Sequence, residues 1–63
     1  MVKVVHLGDN KEYWFFAKTP YEAMRKMQYY LNLKMKGEYT IHKTVSGNHL
    51  YICDGDETYS VRN

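Results

Sequence analysis

An α+β fold with the element order ββαβββ is predicted by three observations on this sequence of 63 residues. Residues 19–37 carry a complete set of helix signals, residues 2–17 are rich in β-branched and aromatic side chains, and residues 39–62 alternate between apolar and polar positions. Turn-forming residues separate the extended segments. We therefore expect one domain, residues 1–63, in which a single helix packs on a small, mostly antiparallel sheet.

The first two extended segments, residues 2–7 and 12–17, are predicted to form a β-hairpin around the turn formers at 8–11. Both faces of this hairpin are apolar. One face is expected to meet the helix. The residues that point the other way, where the chain offers nothing obvious to cover them, are Val5, Leu7, Trp14 and Phe16. Either the sheet curls toward a closed barrel that hides these side chains, or they contact a partner.

The predicted helix begins with a capping box. Thr19 is a favourable N-cap, Pro20 suits the first helical position, and Glu22 lies three residues after the cap. Gly37 is expected to take the left-handed conformation that ends the helix. Apolar residues at helical spacing should cover the sheet, namely Met24, Met27, Leu31 and Met35.

Three further strands are predicted after the helix, at residues 39–45, 50–53 and 58–62. Gly47-Asn48 and Asp54-Gly55 are suited to the tight turns between them. A turn at 47–48 places Lys43 opposite Ile52 and His42 opposite Cys53. The second face of these strands is polar or small, with Tyr51 as the exception.

Composition restricts the cellular setting. Cys53 is the only cysteine, so an internal disulfide is excluded and a reducing compartment, the cytoplasm, is expected. The sequence contains no apolar run of signal-peptide or membrane-spanning length, so no membrane partner is predicted.

No catalytic motif is present, so we predict a protein that is not an enzyme and that has no metal or cofactor. The expected His42–Cys53 pair provides only two ligands, too few for a structural zinc site. The motif Asp54-x-Asp56-x-Thr58 resembles the start of a calcium loop but lacks the remaining ligands. His6 and His49 lie near strand ends and are expected to be solvated.

Charge is unevenly distributed along the chain. Residues 18–37 contain five basic residues and one acidic residue, although the whole chain has a net charge of only +2. The helix face opposite the methionines and its flank present side chains of the kinds that bind base edges and phosphates. They are Arg25, Lys26, Gln28, Tyr29, Asn32 and Lys36.

These features predict a small, non-enzymatic binding protein that docks on a larger protein as an inhibitor or adaptor. The predicted contact residues are Leu7, Trp14, Phe16 and Tyr51, and homodimerisation through them is a version of the same hypothesis. The alternative hypothesis is a nucleic-acid-binding module that uses the basic helix face. The short, Lys- and Tyr-rich chain without a catalytic set is similar in style to small proteins of phages and mobile elements, but no motif carries that likeness.

Overall fold

The computed structural model describes residues 1–47, 49–55 and 57–62, and it confirms the α+β fold and the element order. The elements are β1 (Val2–His6), β2 (Glu12–Phe15), α1 (Pro20–Lys34), β3 (Thr40–Lys43), β4 (Leu50–Asp54) and β5 (Glu57–Arg62). Asn48 of the predicted tight turn and Asp56 of the calcium-loop-like motif lie outside the described residues.

The strands form one sheet in the order β2-β1-β5-β4-β3, and every neighbouring pair is antiparallel. Strands β1 and β5, from the two ends of the chain, pair at its centre. The sheet is open, because β2 and β3 each have only one neighbouring strand. The predicted alternative of a sheet curled into a closed barrel is therefore wrong.

The core lies between α1 and one face of the sheet. The helix contributes Ala23, Met24, Met27 and Leu31, none of which is more than 1% exposed. Opposite them lie buried residues from the inner strands and the segment before β3, namely Val2, Val4, Tyr39, Ile52, Tyr59 and Val61. Burying each large aliphatic side chain contributes about 1.5–3 kcal/mol, so this layer supplies most of the stability.

The start of α1 follows the predicted signals. The N–H of Glu22 donates to Thr19 Oγ1 at 3.1 Å, and Pro20 occupies the first helical position. The Glu22 carboxylate accepts from the N–H of Lys18 at 3.4 Å, one residue before the donor of a standard capping box. Within the described residues, no helix is both long enough and apolar enough to cross a membrane.

The end of α1 differs from the prediction. Met35 is the C-cap, and Lys36 rather than Gly37 takes the left-handed conformation, with φ at 54°. Gly37 is needed for another reason: a Cβ there would lie 2.3 Å from the Tyr39 ring. Because the chain turns away at this point, Met35 is 59% exposed, and its predicted place in the buried stripe is wrong.

The β3–β4 register is shifted by two residues from the predicted one. Lys43 pairs with Leu50, Ile41 with Ile52, and the N–H of Thr44 donates to the carbonyl of His49. The connection therefore spans residues 45–48 instead of a two-residue turn. A shift of two preserves which face each side chain occupies, so the alternation pattern cannot reveal it.

Candidate binding surface

The sheet face turned away from α1 has no covering element among the described residues, and we call it the open face. Its side chains alternate with those of the core, and the strand register aligns them in rows across the sheet. One row crosses all five strands, and it consists of Glu12, Val5, Ser60, Tyr51 and His42. Trp14 and Lys3 pair in the adjacent row.

Trp14 is the largest exposed side chain of the open face, at 54% exposure. Its Nε1 donates to a Glu12 carboxylate oxygen at 3.2 Å, and Lys3 Nζ lies 5.6 Å from the ring centroid. Lys3 Nζ also lies 3.4 Å from the other oxygen of Glu12. The three side chains contact one another, and these contacts orient the indole while about half of the residue stays exposed.

The predicted contact residues do not form one continuous patch. Phe16, 79% exposed, follows β2 directly and lies close to Trp14 along the chain. Because Val2 pairs with Phe15, Phe16 lies beyond one end of β1 and Leu7 beyond the other. At about 3.3 Å per residue, Leu7 and Phe16 are separated by about 20 Å.

Tyr51 lies on the open face, as predicted, but three strands away from Trp14. That separation corresponds to about 14 Å at 4.8 Å per strand. Tyr51 is half-buried, and its ring stacks on His42 with centroids 5.2 Å apart. Between the two aromatic groups, Ser60 is only 2% exposed, and its Oγ contacts His49 Nε2. His49 is therefore packed against the sheet instead of being simply solvated as predicted.

Some polar side chains on the outer face of α1 form hydrogen bonds within the protein itself. Asn32 Oδ1 accepts from the N–H of Tyr39 at 2.9 Å, and Asn32 Nδ2 lies 3.5 Å from the carbonyl oxygen of Tyr39. Gln28 Nε2 donates to the same carbonyl at 3.0 Å. Two of the predicted base-reading side chains thus bind the segment that leads into β3. Their amide groups were not recognised as structural, because nothing in the sequence shows which backbone groups lack partners.

The same helix face carries a shallow groove of about 460 Å³, lined by Arg25, Gln28, Tyr29, Asn32 and Leu33. Tyr29 is 70% exposed, and Arg25 has no ion-pair partner among the described residues. Lys26 instead binds back onto the protein, because its Nζ contacts the carbonyl of Phe16 and lies 3.8 Å from Glu22. Lys36 is exposed at the turn after the helix. The predicted basic residues Arg25, Lys26 and Lys36 therefore do not share one surface environment.

A cluster around His6 is not evident from the sequence, which predicts a solvated side chain at this position. His6 Nδ1 lies 2.7 Å from Asp9 Oδ1, Nε2 contacts a carboxylate oxygen of Glu57, and the ring stacks on Tyr59 with centroids 4.7 Å apart. The cluster joins the β1–β2 connection to the start of β5. Asp9 lies three residues after His6 in sequence, which is a local indication of such a pair, but Glu57 is brought there only by the β1–β5 pairing.

The charges around His6 favour its protonated form. Burial alone lowers the pKa of His6, but the hydrogen bonds and negative charges of Asp9 and Glu57 outweigh it, and the pKa lies above its ordinary value of 6.5. The pKa of Asp9 lies below its ordinary value, mainly because the carboxylate accepts from the N–H of Lys11 and also because it contacts His6. Both ring nitrogens of His6 are occupied, so the imidazole is placed as a structural link and not as a free general base.

The predicted His42–Cys53 pair is wrong, because His42 pairs with Tyr51 while Cys53 pairs with Thr40. Cys53 is a free, half-buried thiol. Within the described ranges, no group of three or more His, Cys, Asp or Glu side chains is arranged to hold a metal ion. The chemistry that the surface offers is contact: aromatic rings, an oriented indole and unpaired basic groups.

Comparisons with known proteins add no relative. No protein-family model matches the chain, and searches of curated proteins and of solved structures give no significant match. Function is therefore inferred from the geometry of this molecule.

Proposed function

We propose that this chain is a non-enzymatic binding protein that docks on a larger protein through Trp14, Phe16 and the adjoining part of the open face. The observation that carries the proposal is the exposure of Trp14 and Phe16 at an edge of a sheet whose outer face is covered by none of the described elements. Trp14 and Phe16 lie two residues apart on this edge, and contiguous exposed apolar side chains mark interaction sites. Trp and Tyr are also enriched among the residues that dominate binding energy.

The fixed orientation of Trp14 supports a role as an anchor. Glu12 and Lys3 hold the indole before any partner arrives, so less side-chain freedom is lost on association. Losing that freedom costs about 0.5–1.5 kcal/mol for each side chain that binding immobilises.

One partner can reach both aromatic parts of the open face. A standard interface buries about 800 Å² on each side, which is wide enough to include Trp14 and the His42–Tyr51 pair. Leu7 lies at the far end of the first hairpin and belongs to the contact only if the partner extends along β1. We therefore place Trp14 and Phe16 at its centre and Tyr51 at its margin.

Nucleic-acid binding by the helix is the less supported alternative. Gln28 and Asn32 already bind the backbone of Tyr39, and Lys26 contacts Glu22 and the carbonyl of Phe16. Of the predicted residues, Arg25, Tyr29 and Lys36 remain available, and only two of these are cations, whereas a phosphate backbone is usually bound by several.

Photo-crosslinking in the cells that naturally make the protein tests the proposal. One variant carries a photoreactive phenylalanine analogue at Phe16 and the matched control carries it at Tyr29, another highly exposed aromatic position. We expect the Phe16 variant to crosslink to a discrete larger protein, and Trp14→Ala in the same background to abolish the crosslink while circular dichroism shows an intact fold.

Equal crosslinking from Tyr29, or a crosslink to nucleic acid in place of a protein, contradicts the proposal. Unfolding caused by Trp14→Ala contradicts it as well, because Trp14 is then part of the core. The purified partner should bind the wild-type chain directly, and Trp14→Ala should weaken that binding more than Tyr29→Ala does.

A further inference from the structure

In the part of the chain that the structure describes, the sheet has two edges without a neighbouring strand, β2 and β3. Backbone hydrogen bonding shows which groups are available at each. The N–H of His6 donates to the carbonyl of Lys11, so His6 and Lys11 are a hydrogen-bonded pair. Such pairs alternate along antiparallel strands, and therefore the N–H and C=O groups of Glu12 and Trp14 point away from β1 toward solvent. The same argument, from the Thr44–His49 bond, directs the backbone groups of Ile41 and Lys43 outward from β3.

The two edges differ in how they are protected. Strand β3 presents Thr40, His42 and Lys43, all exposed, and polar or charged side chains at an edge discourage further pairing. Strand β2 instead presents Trp14 beside its free backbone groups and Phe16 immediately after them. An aromatic edge with unpaired donors and acceptors is a template for another strand.

The charges around β2 define the strand that it fits. Glu12 is already bound by Lys3 and by the indole N–H, whereas Lys11 precedes β2 and Lys18 follows it, both exposed and both without an ion-pair partner among the described residues. A complementary segment therefore has acidic residues at its ends and apolar residues at alternate positions that cover Trp14 and Phe16.

We propose that β2 pairs with an extended segment of the partner protein, in which apolar residues alternate and acidic residues lie at both ends. The contact of Lys26 Nζ with the carbonyl of Phe16 occupies the edge there, so pairing centres on Glu12 and Trp14. This inference rests on the proposed function, since it specifies how the Trp14 side of the protein engages its partner.

Backbone N-methylation tests the pairing without altering a side chain, and a chain of 63 residues is within reach of chemical synthesis. N-methyl-Trp14 blocks the outward N–H of β2, and N-methyl-Lys43 is the matched control on the β3 edge. The probes are short synthetic peptides with Val, Ile, Tyr or Phe at alternating positions and Asp at both ends. A second set carries Lys in place of Asp.

We expect members of the Asp-flanked set to slow the hydrogen exchange of the Glu12 and Trp14 amides, and N-methyl-Trp14 to weaken their binding at least roughly tenfold. N-methyl-Lys43 should bind as the unmodified protein does, and the Lys-flanked set should bind more weakly. If no Asp-flanked peptide protects these amides, or if the Lys-flanked set binds equally well, the inference is overturned. Protection that grows with protein concentration in the absence of peptide assigns the edge to a second copy and also overturns it.

The proposed function and this inference fail separately. If N-methyl-Trp14 still binds the crosslinked partner while Trp14→Ala does not, the side chain is the anchor and the strand pairing is wrong. If both variants bind the partner normally, the proposed function itself is wrong.

Discussion

Replacing Asn32 with alanine is expected to destabilise the fold by about 1 kcal/mol, because the N–H of Tyr39 then loses its acceptor. Asn32 satisfies this N–H at the point where the segment after α1 enters the core, in which Tyr39 is buried. The carbonyl of Tyr39 keeps a partner in this variant, since Gln28 Nε2 donates to it at 3.0 Å. Asn32→Ala therefore leaves a single backbone group, the N–H of Tyr39, without its partner.

The magnitude follows from two opposing effects. An unsatisfied buried donor costs about 1–3 kcal/mol, and we take about 1.5 kcal/mol because Asn32 is itself exposed and water can approach. Alanine is a better helix former than asparagine and returns about 0.5 kcal/mol. The net loss of about 1 kcal/mol corresponds to a fall in Tm of about 4–8 °C for a domain of this size. It is a substantial part of the roughly 3–5 kcal/mol that so small a core supplies.

Urea unfolding with Arg25→Ala as the control measures this loss. Arg25 lies on the same helix face, is exposed and forms no ion pair with the described residues, so its replacement should change the free energy of unfolding by less than about 0.5 kcal/mol. Hydrogen exchange of the Tyr39 amide should accelerate in Asn32→Ala and remain unchanged in Arg25→Ala.

Equal stabilities of the two variants, or an unchanged exchange rate at Tyr39, refute the argument. Asn32 is then free for binding, and the nucleic-acid hypothesis regains one of its base-reading side chains. If salt-sensitive DNA binding is present and Asn32→Ala weakens it without destabilising the fold, the assignment of Asn32 to the fold is wrong.

Single substitutions at three other residues test separate contacts. Because the folded pKa of His6 is raised above 6.5, its stabilising contribution is complete below about pH 6.5 and is lost as the pH rises through the raised value. The stability advantage of the wild type over His6→Gln in urea should therefore shrink at alkaline pH, and a constant difference contradicts this. Gly37→Ala should lower the free energy of unfolding by about 1–3 kcal/mol, since its Cβ would lie 2.3 Å from the Tyr39 ring, and an unchanged urea midpoint contradicts the clash. Burial raises the pKa of Tyr59 to about 12, so Tyr59→Phe should leave the tyrosinate absorbance near pH 11 almost unchanged, and a clear decrease contradicts it.

Local signals predicted the parts of the fold that depend on local physics. The Thr19–Glu22 cap fixes where α1 begins, and alternation assigned Trp14 and Tyr51 to the face away from the helix. The predicted end of α1 is wrong because a glycine after a helix is usually the residue that ends it in the left-handed conformation. Here Gly37 is required instead by the close approach of the Tyr39 ring, a tertiary contact that the sequence does not show. The β3–β4 register was misplaced for a related reason: two registers separated by two residues bury the same side chains.

The site residues divide in the same way. The exposure of Trp14 and Phe16 could be predicted from the number of helices, since the one predicted helix can cover only one face of the sheet. The roles of Asn32, Gln28 and His6 depend on groups that meet only after the chain has folded, namely the backbone of Tyr39 and the carboxylate of Glu57. Sequence patterns identify which side chains are polar, but they do not identify which of them the fold itself uses.

The small size of the chain explains why its open face is half polar and half aromatic. With a single helix, the second face must remain compatible with water, and the β3–β4 side achieves this through Thr40, His42 and a half-buried Tyr51. The β2 side does not, since Trp14 lies exposed beside an unpaired edge. The contacts of Glu12 and Lys3 with the indole orient it but do not bury it. This exposed and oriented aromatic group is the feature on which the proposed binding role rests.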